Sequence, residues 1–219
     1  MAKAKVPTEK MTYEGFLKWC DEDTWAEWVD GEIIVLTPAS DKHQDLADFL
    51  TAILRIYTEA RGLGVVRSAP FQMKTGPELP GREPDILFIA QEHLEQLKET
   101  YLEGPADLVI EIASPESRLR DRGEKFAEYE LGGVKEYWLI DEEQRADFYV
   151  LGPDGRYERR AVDAQGVYRS EVVSGFWLKV GWLWQEPLPS PVRAVAEIAG
   201  VDPALIQAFE RALVGEQEP

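Results

Sequence analysis

The sequence predicts an α+β domain, and three observations predict it. Two turn signals, Asp30-Gly31 and Pro153-Asp154-Gly155, each separate a pair of β-prone runs, as the turns of hairpins do. Between them lies a run from Asp41 to Arg61 whose apolar residues recur at helical spacing. Finally, an apolar run at 107–113, a helical segment at 118–131 and a second apolar run at 135–141 follow in the order of a βαβ unit. Its strands are therefore expected to be parallel and its crossover right-handed.

The elements follow in chain order. "TYEGFLKWC", 12–20, predicts a short helix with Thr12 as N-cap. "WAEWVDGEIIVLTP" predicts a hairpin. Ser40 caps the 41–61 helix. Leu46, Phe49, Leu50, Ile53, Leu54 and Tyr57 form its apolar face, and Gly62 stops it. Strands are expected at 65–73, 85–90 and 107–113, with "EHLEQLKE" as a polar surface turn or short helix. Gly132-Gly133 ends the 118–131 helix, and "KEYWLID" gives the strand at 135–141. Strands at 146–151 and 156–162 form the second hairpin. "EPLPSP", 186–191, reads as a linker, followed by an amphipathic helix at 203–214. These divide the chain into an N-terminal tail (1–11) expected to be disordered, one domain (12–185) and a C-terminal appendage (186–219).

The chain has 219 residues, enough for a well-cored domain, and 44% are hydrophobic. A single cysteine, Cys20, excludes an intrachain disulfide or cysteine zinc cluster and suits a reducing cytoplasm. The start lacks an apolar signal region, and no run of about 18 apolar residues exists to span a membrane. A net charge of −17 opposes a broad nucleic-acid footprint, because phosphate binding needs a basic face.

Chemistry concentrates around Glu111, which sits inside the apolar run "DLVIEIAS". An ionised carboxylate there costs several kcal/mol, roughly, unless paired. Asp85, after Pro84, opens the neighbouring strand, and two carboxylates on adjacent strands can share one hard cation such as Mg²⁺. The alternatives are a buried arginine partner or a partly wet strand face. Lys125, one turn from Asp121 and Tyr129, could orient or deprotonate a water; the same run also satisfies a solvated helix face with charge pairs. His43 shares the inward face of Leu46, Leu50 and Leu54, a position that usually holds a structural histidine. Strand alternation puts Glu27 opposite Trp28, so Glu27 faces solvent or a site if Trp28 is core. The basic residues Arg118, Arg120, Arg122 and Lys125 cluster but are diluted by Glu116, Asp121 and Glu124.

Over about residues 12–185 the chain resembles the Uma2 family of the restriction-endonuclease-like PD-(D/E)XK superfamily. The resemblance is carried by "AEWVDGEIIVLTPAS" with the histidine that follows, "EPDILFI", "LVIEIASPESRLRDRGEKFAEYELGGVKEYWLID" and "SGFWLKVGWLW". It implies a mixed β-sheet flanked by helices, with an N-terminal helix and hairpin, and a metal-dependent endonuclease acting on DNA. Asp85 matches the motif aspartate and Glu111 the acidic residue of the (D/E)XK element. The superfamily's usual lysine would fall at Ala113; Lys125 matches a lysine moved to the following helix. The resemblance further implies Mg²⁺ or Mn²⁺ held by Asp85, Glu111 and a backbone carbonyl near Ile112. Glu27 would hold a second metal or act as base, with His43 in support. A catalytically inactive nuclease-fold binding module is the alternative; a carboxylate-pair glycoside hydrolase is a weaker one, with no role for Lys125. DNA binding is expected to be weak and local. A homodimer is expected because two-strand cleavage needs two sites and "FWLKVGWLW", 176–184, offers apolar surface.

Overall fold

The computed structural model describes residues 7, 9–21, 24–35, 38–114, 118–213 and 215. Most of the 1–11 tail, Pro115, Glu116 and the Arg118 side chain lie outside them.

Helix α1 (Tyr13–Trp19) starts where Thr12 accepts a hydrogen bond from the Gly15 N–H. Strands β1 (Ala26–Val29) and β2 (Glu32–Val35) form the first hairpin. Asp30 and Gly31 both adopt positive φ, as a two-residue turn of matching twist requires. Helix α2 (Asp41–Arg61) is capped by Ser40, which accepts from the His43 N–H, and ends at left-handed Gly62.

The expected 65–73 strand is two strands in two sheets: β3 (Gly64–Ser68) and β4 (Gln72–Lys74). Pro70 lies between them, and a residue without an N–H cannot continue a ladder. Next come β5 (Gly81–Arg82), β6 (Ile86–Ala90), a short 3-10 helix at Gln91–Gln96, β7 (Tyr101–Glu103) and β8 (Leu108–Ala113). The single helix expected at 118–131 is broken at Gly123 into α3 (Arg118–Arg122) and α4 (Glu124–Gly132). Strands β9 (Glu136–Asp141), β10 (Arg145–Leu151) and β11 (Tyr157–Arg160) follow as expected. A hairpin that the sequence reading lacked, β12 (Val167–Arg169) with β13 (Trp177–Lys179), comes next. Helices α5 (Pro191–Ala199) and α6 (Pro203–Leu213) close the chain. Only α6 was expected; Pro191 at the first helical position starts α5 where Pro content had suggested a linker.

Among the described residues the strands form two mixed sheets and one hairpin. The larger sheet runs β11-β10-β9-β8-β6-β3, the smaller β2-β1-β5-β4-β7. Strands β8 and β9 are parallel, as the βαβ order demands, and β6 is antiparallel to β8. Strand alternation divides the large sheet's two faces. Leu108, Ile110 and Ile112 join α2, the β12–β13 hairpin and α5 in one core. Val109 and Ala113 join Tyr129 of α4 and Met73 and Leu102 of the small sheet in another. Period two therefore sends Glu111 toward α4. The aromatic segment 176–184 does not offer a free apolar surface: Phe176, Leu178, Trp182 and Leu183 are buried in the α2-side core. This removes one of the two arguments for a homodimer. No helix among the described residues is long and apolar enough to cross a membrane.

Candidate active site

Glu111 is almost fully buried, and its partners come from α4. Lys125 Nζ lies 2.9 Å from Glu111 Oε1, and the Tyr129 hydroxyl donates to the same oxygen at 2.6 Å. Positions 125 and 129 are one turn apart, so one helix face delivers both donors. The partner is a lysine, neither the arginine nor the partly wet face considered from the sequence. Lys125 is itself buried, not on a solvated helix face. It also lies 3.2 Å from Glu27 Oε1 and 3.5 Å from Asp121 Oδ1.

Glu27 is fully buried in strand β1. Arg82 of β5 donates to Glu27 Oε2 at 2.8 Å and forms a two-bond fork with Glu128 of α4 at 2.7 and 2.8 Å. This fork fixes the small sheet and α4 to each other, and so sets where Lys125 can stand. Trp28, on the opposite face of β1, packs edge-on against Tyr13. Glu27 therefore faces the Lys125 cluster and not solvent.

Asp85 precedes β6 and falls opposite Glu111 if the β6–β8 register is continued by one residue. Its Oδ2 accepts the Ile112 N–H at 2.7 Å, and His43 Nε2 stands 3.3 Å from the same oxygen. The structure thus ties Ile112 to Asp85 through its N–H. His43 reaches Asp85 from the first turn of α2, at the lip of the core its helix face covers.

His43, Asp85, Glu111, Ile112, Asp121 and Lys125 line a cavity of about 680 Å³, together with Glu83, Arg120, Trp25 and Glu142. Burial pushes Glu111 up to about 8, with Asp85 and Asp121 adding to the rise against the opposing pull of Lys125. Lys125 is also raised, because the pull of Glu111, Glu27 and Asp121 outweighs its burial. Glu111 rises first because it is buried and then because other acids surround it, whereas burial opposes the charge on Lys125 and those same acids override it. Burial acts against Glu27, but Lys125 and Arg82 hold its carboxyl below the usual range. Burial pulls His43 down, and Asp85, Glu142 and Glu111 more than reverse it.

Sequence reasoning missed Glu83, Arg82 and Glu128. Glu83 is buried and accepts from Gln72 at 2.9 Å; burial, reinforced by Glu27 and Asp85, lifts it to about 7. The signal was present, since Arg82 and Glu83 stand directly before "PDILFI". Among the described residues no three His, Cys, Asp or Glu side chains form a ready metal cage. Asp85 and Glu111 nevertheless supply an all-oxygen pair at a cavity, a donor set that suits a hard cation retaining most of its waters.

A family model described as "Putative restriction endonuclease", Uma2, matches residues 13–181. No curated protein matches the chain. A crystal structure titled as a putative nuclease belonging to DUF820, from Anabaena variabilis, shares the fold with a TM-score of 0.64 and 19% identity, covering 80% of this chain and 97% of that one. With more than half of its length matched, the chain belongs to the Uma2 family.

Proposed function

We propose that the protein is a divalent-metal-dependent phosphodiesterase acting on DNA. The observation that carries this reading is a buried lysine, Lys125, held between Glu111, Glu27 and Asp121 on the wall of a cavity that also exposes Asp85. A cation placed that deeply is expensive unless its position matters. In this reading Asp85 and Glu111 hold Mg²⁺ or Mn²⁺, which when bound polarises the phosphate and acidifies a water. His43 orients Asp85 from one side and the Ile112 N–H from the other. Lys125 is a poor base, because its carboxylates keep it charged. Its role is electrostatic: its fixed positive charge offsets the negative charge that gathers on the phosphate oxygens in the transition state. Glu83, which lines the same cavity and whose carboxyl burial raises, is suited to accept the water's proton.

The test is Asp85→Asn. Asparagine can still accept the Ile112 N–H, so the fold should hold. Cleavage of plasmid and oligonucleotide DNA in Mg²⁺ or Mn²⁺ should be lost, together with the Mn²⁺-induced rise in Tm. Cleavage at the wild-type rate by this variant overturns the reading.

A further inference from the structure

We propose that the cavity beside Lys125 grips one unpaired nucleotide, with Trp25 as a stacking platform for the base and Arg120 as a clamp for its phosphate. This rests on the phosphodiesterase reading and names its substrate class: single-stranded or frayed nucleic acid, not intact duplex.

Both residues line the same cavity as Asp85 and Glu111. Trp25 is 43% exposed, whereas most of the protein's tryptophan surface is spent on packing. Apart from His43 it is the cavity's sole aromatic lining residue among those described. An indole that borders a polar cavity presents a flat face to whatever enters, and any base can stack on it. Arg120, on α3, is half-buried, and its Nε is buried without a hydrogen-bond partner. Among the described residues no carboxylate stands within ion-pair distance of it, although its charge reaches Glu27. Lys125, the other permanent cation on the lining, is already engaged by three carboxylates. Arg120 is thus the cation left to receive a phosphate. Two further lining atoms, His43 Nδ1 and Thr51 Oγ1, are also buried without partners and can serve the sugar or base edge.

Size and charge both favour one nucleotide over a duplex. A cavity of about 680 Å³ falls in the usual range for enclosing a single small ligand. A duplex would bring a dense row of phosphates against Asp48, Glu142 and a surface of net charge −17. Its bases, stacked on one another, would also leave Trp25 nothing to stack against.

The experiment measures anisotropy of labelled oligonucleotides, single-stranded and duplex of one sequence, on the full-length chain with Ca²⁺ in place of Mg²⁺. Single strands should bind about tenfold tighter than duplex, and Trp25→Ala should remove about tenfold of that affinity. Trp25→Phe should retain most of it, which separates stacking from a folding defect. Arg120→Gln should weaken binding and flatten the salt dependence by about 0.7 in log–log slope, the loss of one single-strand phosphate contact. Duplex binding as tight as single-strand binding, single-strand affinity unmoved by either substitution, or no binding of either strand form overturns the proposal. Cleavage in Mn²⁺ is scored separately. Single strands bound through Trp25 and Arg120 but never cut would overturn the phosphodiesterase reading and leave the grip standing. Duplex cut with single strands ignored would do the reverse.

Discussion

Two carboxylates illustrate how burial and partner choice divide the work among residues. Glu111 shares Lys125 with Glu27 and Asp121, so the lysine is answered three times; Glu27 also has Arg82 and Glu111 the Tyr129 hydroxyl, but Lys125 meets all three acids. The two halves of the pair should therefore respond unequally to substitution. Lys125→Met strands the acids in a dry place and should destabilise the protein by about 3–5 kcal/mol. Glu111→Gln leaves Lys125 with Glu27 and Asp121 and keeps an acceptor for Tyr129, so it should cost less than about 1.5 kcal/mol. Urea denaturation of both variants checks this; equal losses would mean that Glu111 alone holds the lysine. Asp107, at the opposite end of β8, is a simpler case. Burial opposes its ionisation, but Lys135, the Ala90 N–H and His93 together hold its carboxyl below the usual range. A depressed folded value means that its stabilisation is present above the unfolded value of about 3.9 and is lost as pH falls through the folded one. Asp107→Asn should accordingly lower Tm at neutral pH and show a shallower fall in Tm with acid than wild type does.

At the scale of elements, the site depends on two joints. The first is Gly123, where the crossover breaks and α4 takes its own direction across the sheet face. The second is the pairing of β3 with β6, which places Asp85 at the sheet's end beside β8. That pairing begins at Gly64, with φ +149 and a missing side chain whose Cβ would lie 2.1 Å from the Ile89 carbonyl oxygen. Backbone cannot retreat as a flexible side chain can. Gly64→Ala should cost more than about 2 kcal/mol. Gly155→Ala also sits at positive φ but in open space, and should cost about 1 kcal/mol or less. Thermal melts that rank the two in the opposite order would refute the close-approach argument.

For the molecule as a whole, charge is the dominant fact. A formal net charge of −17 works against nucleic-acid binding by the molecule at large, so phosphate contacts are expected to be few and centred on Arg120 at the cavity. DNA affinity should fall with salt along a slope reflecting about two to four phosphate contacts, in titrations between low and physiological salt. A slope typical of a large basic binder would show that a surface other than the cavity carries the contact.

Local chemistry sufficed for much of this architecture. Thr12, Ser40 and Gly62 mark helix ends by satisfying or releasing backbone groups next to themselves in the chain, and Asp30-Gly31 sets its turn the same way. The run from 107 to 141 declared a parallel pair, because a strand–helix–strand order has few ways to fold. The residue pattern singled out Asp85, Glu111, Lys125, Glu27 and His43, the resemblance to Uma2 gave them roles, and all five line the cavity or meet in the cluster beside it. What the sequence could not express were decisions made between distant segments. Whether Lys125 was solvated or buried depended on the Arg82 fork drawing the small sheet onto α4, across 46 residues of chain. Glu83 gains its proton affinity from burial and from Glu27 and Asp85, none of which a local pattern reports. The 176–184 segment carried apolar residues enough for an interface, and only the packing against α2 and β9 showed that they belong to the core. Periodicity tells which face of an element is apolar; the tertiary structure decides what that face meets, and with it the dielectric and the partners that make a carboxylate or a lysine chemically useful.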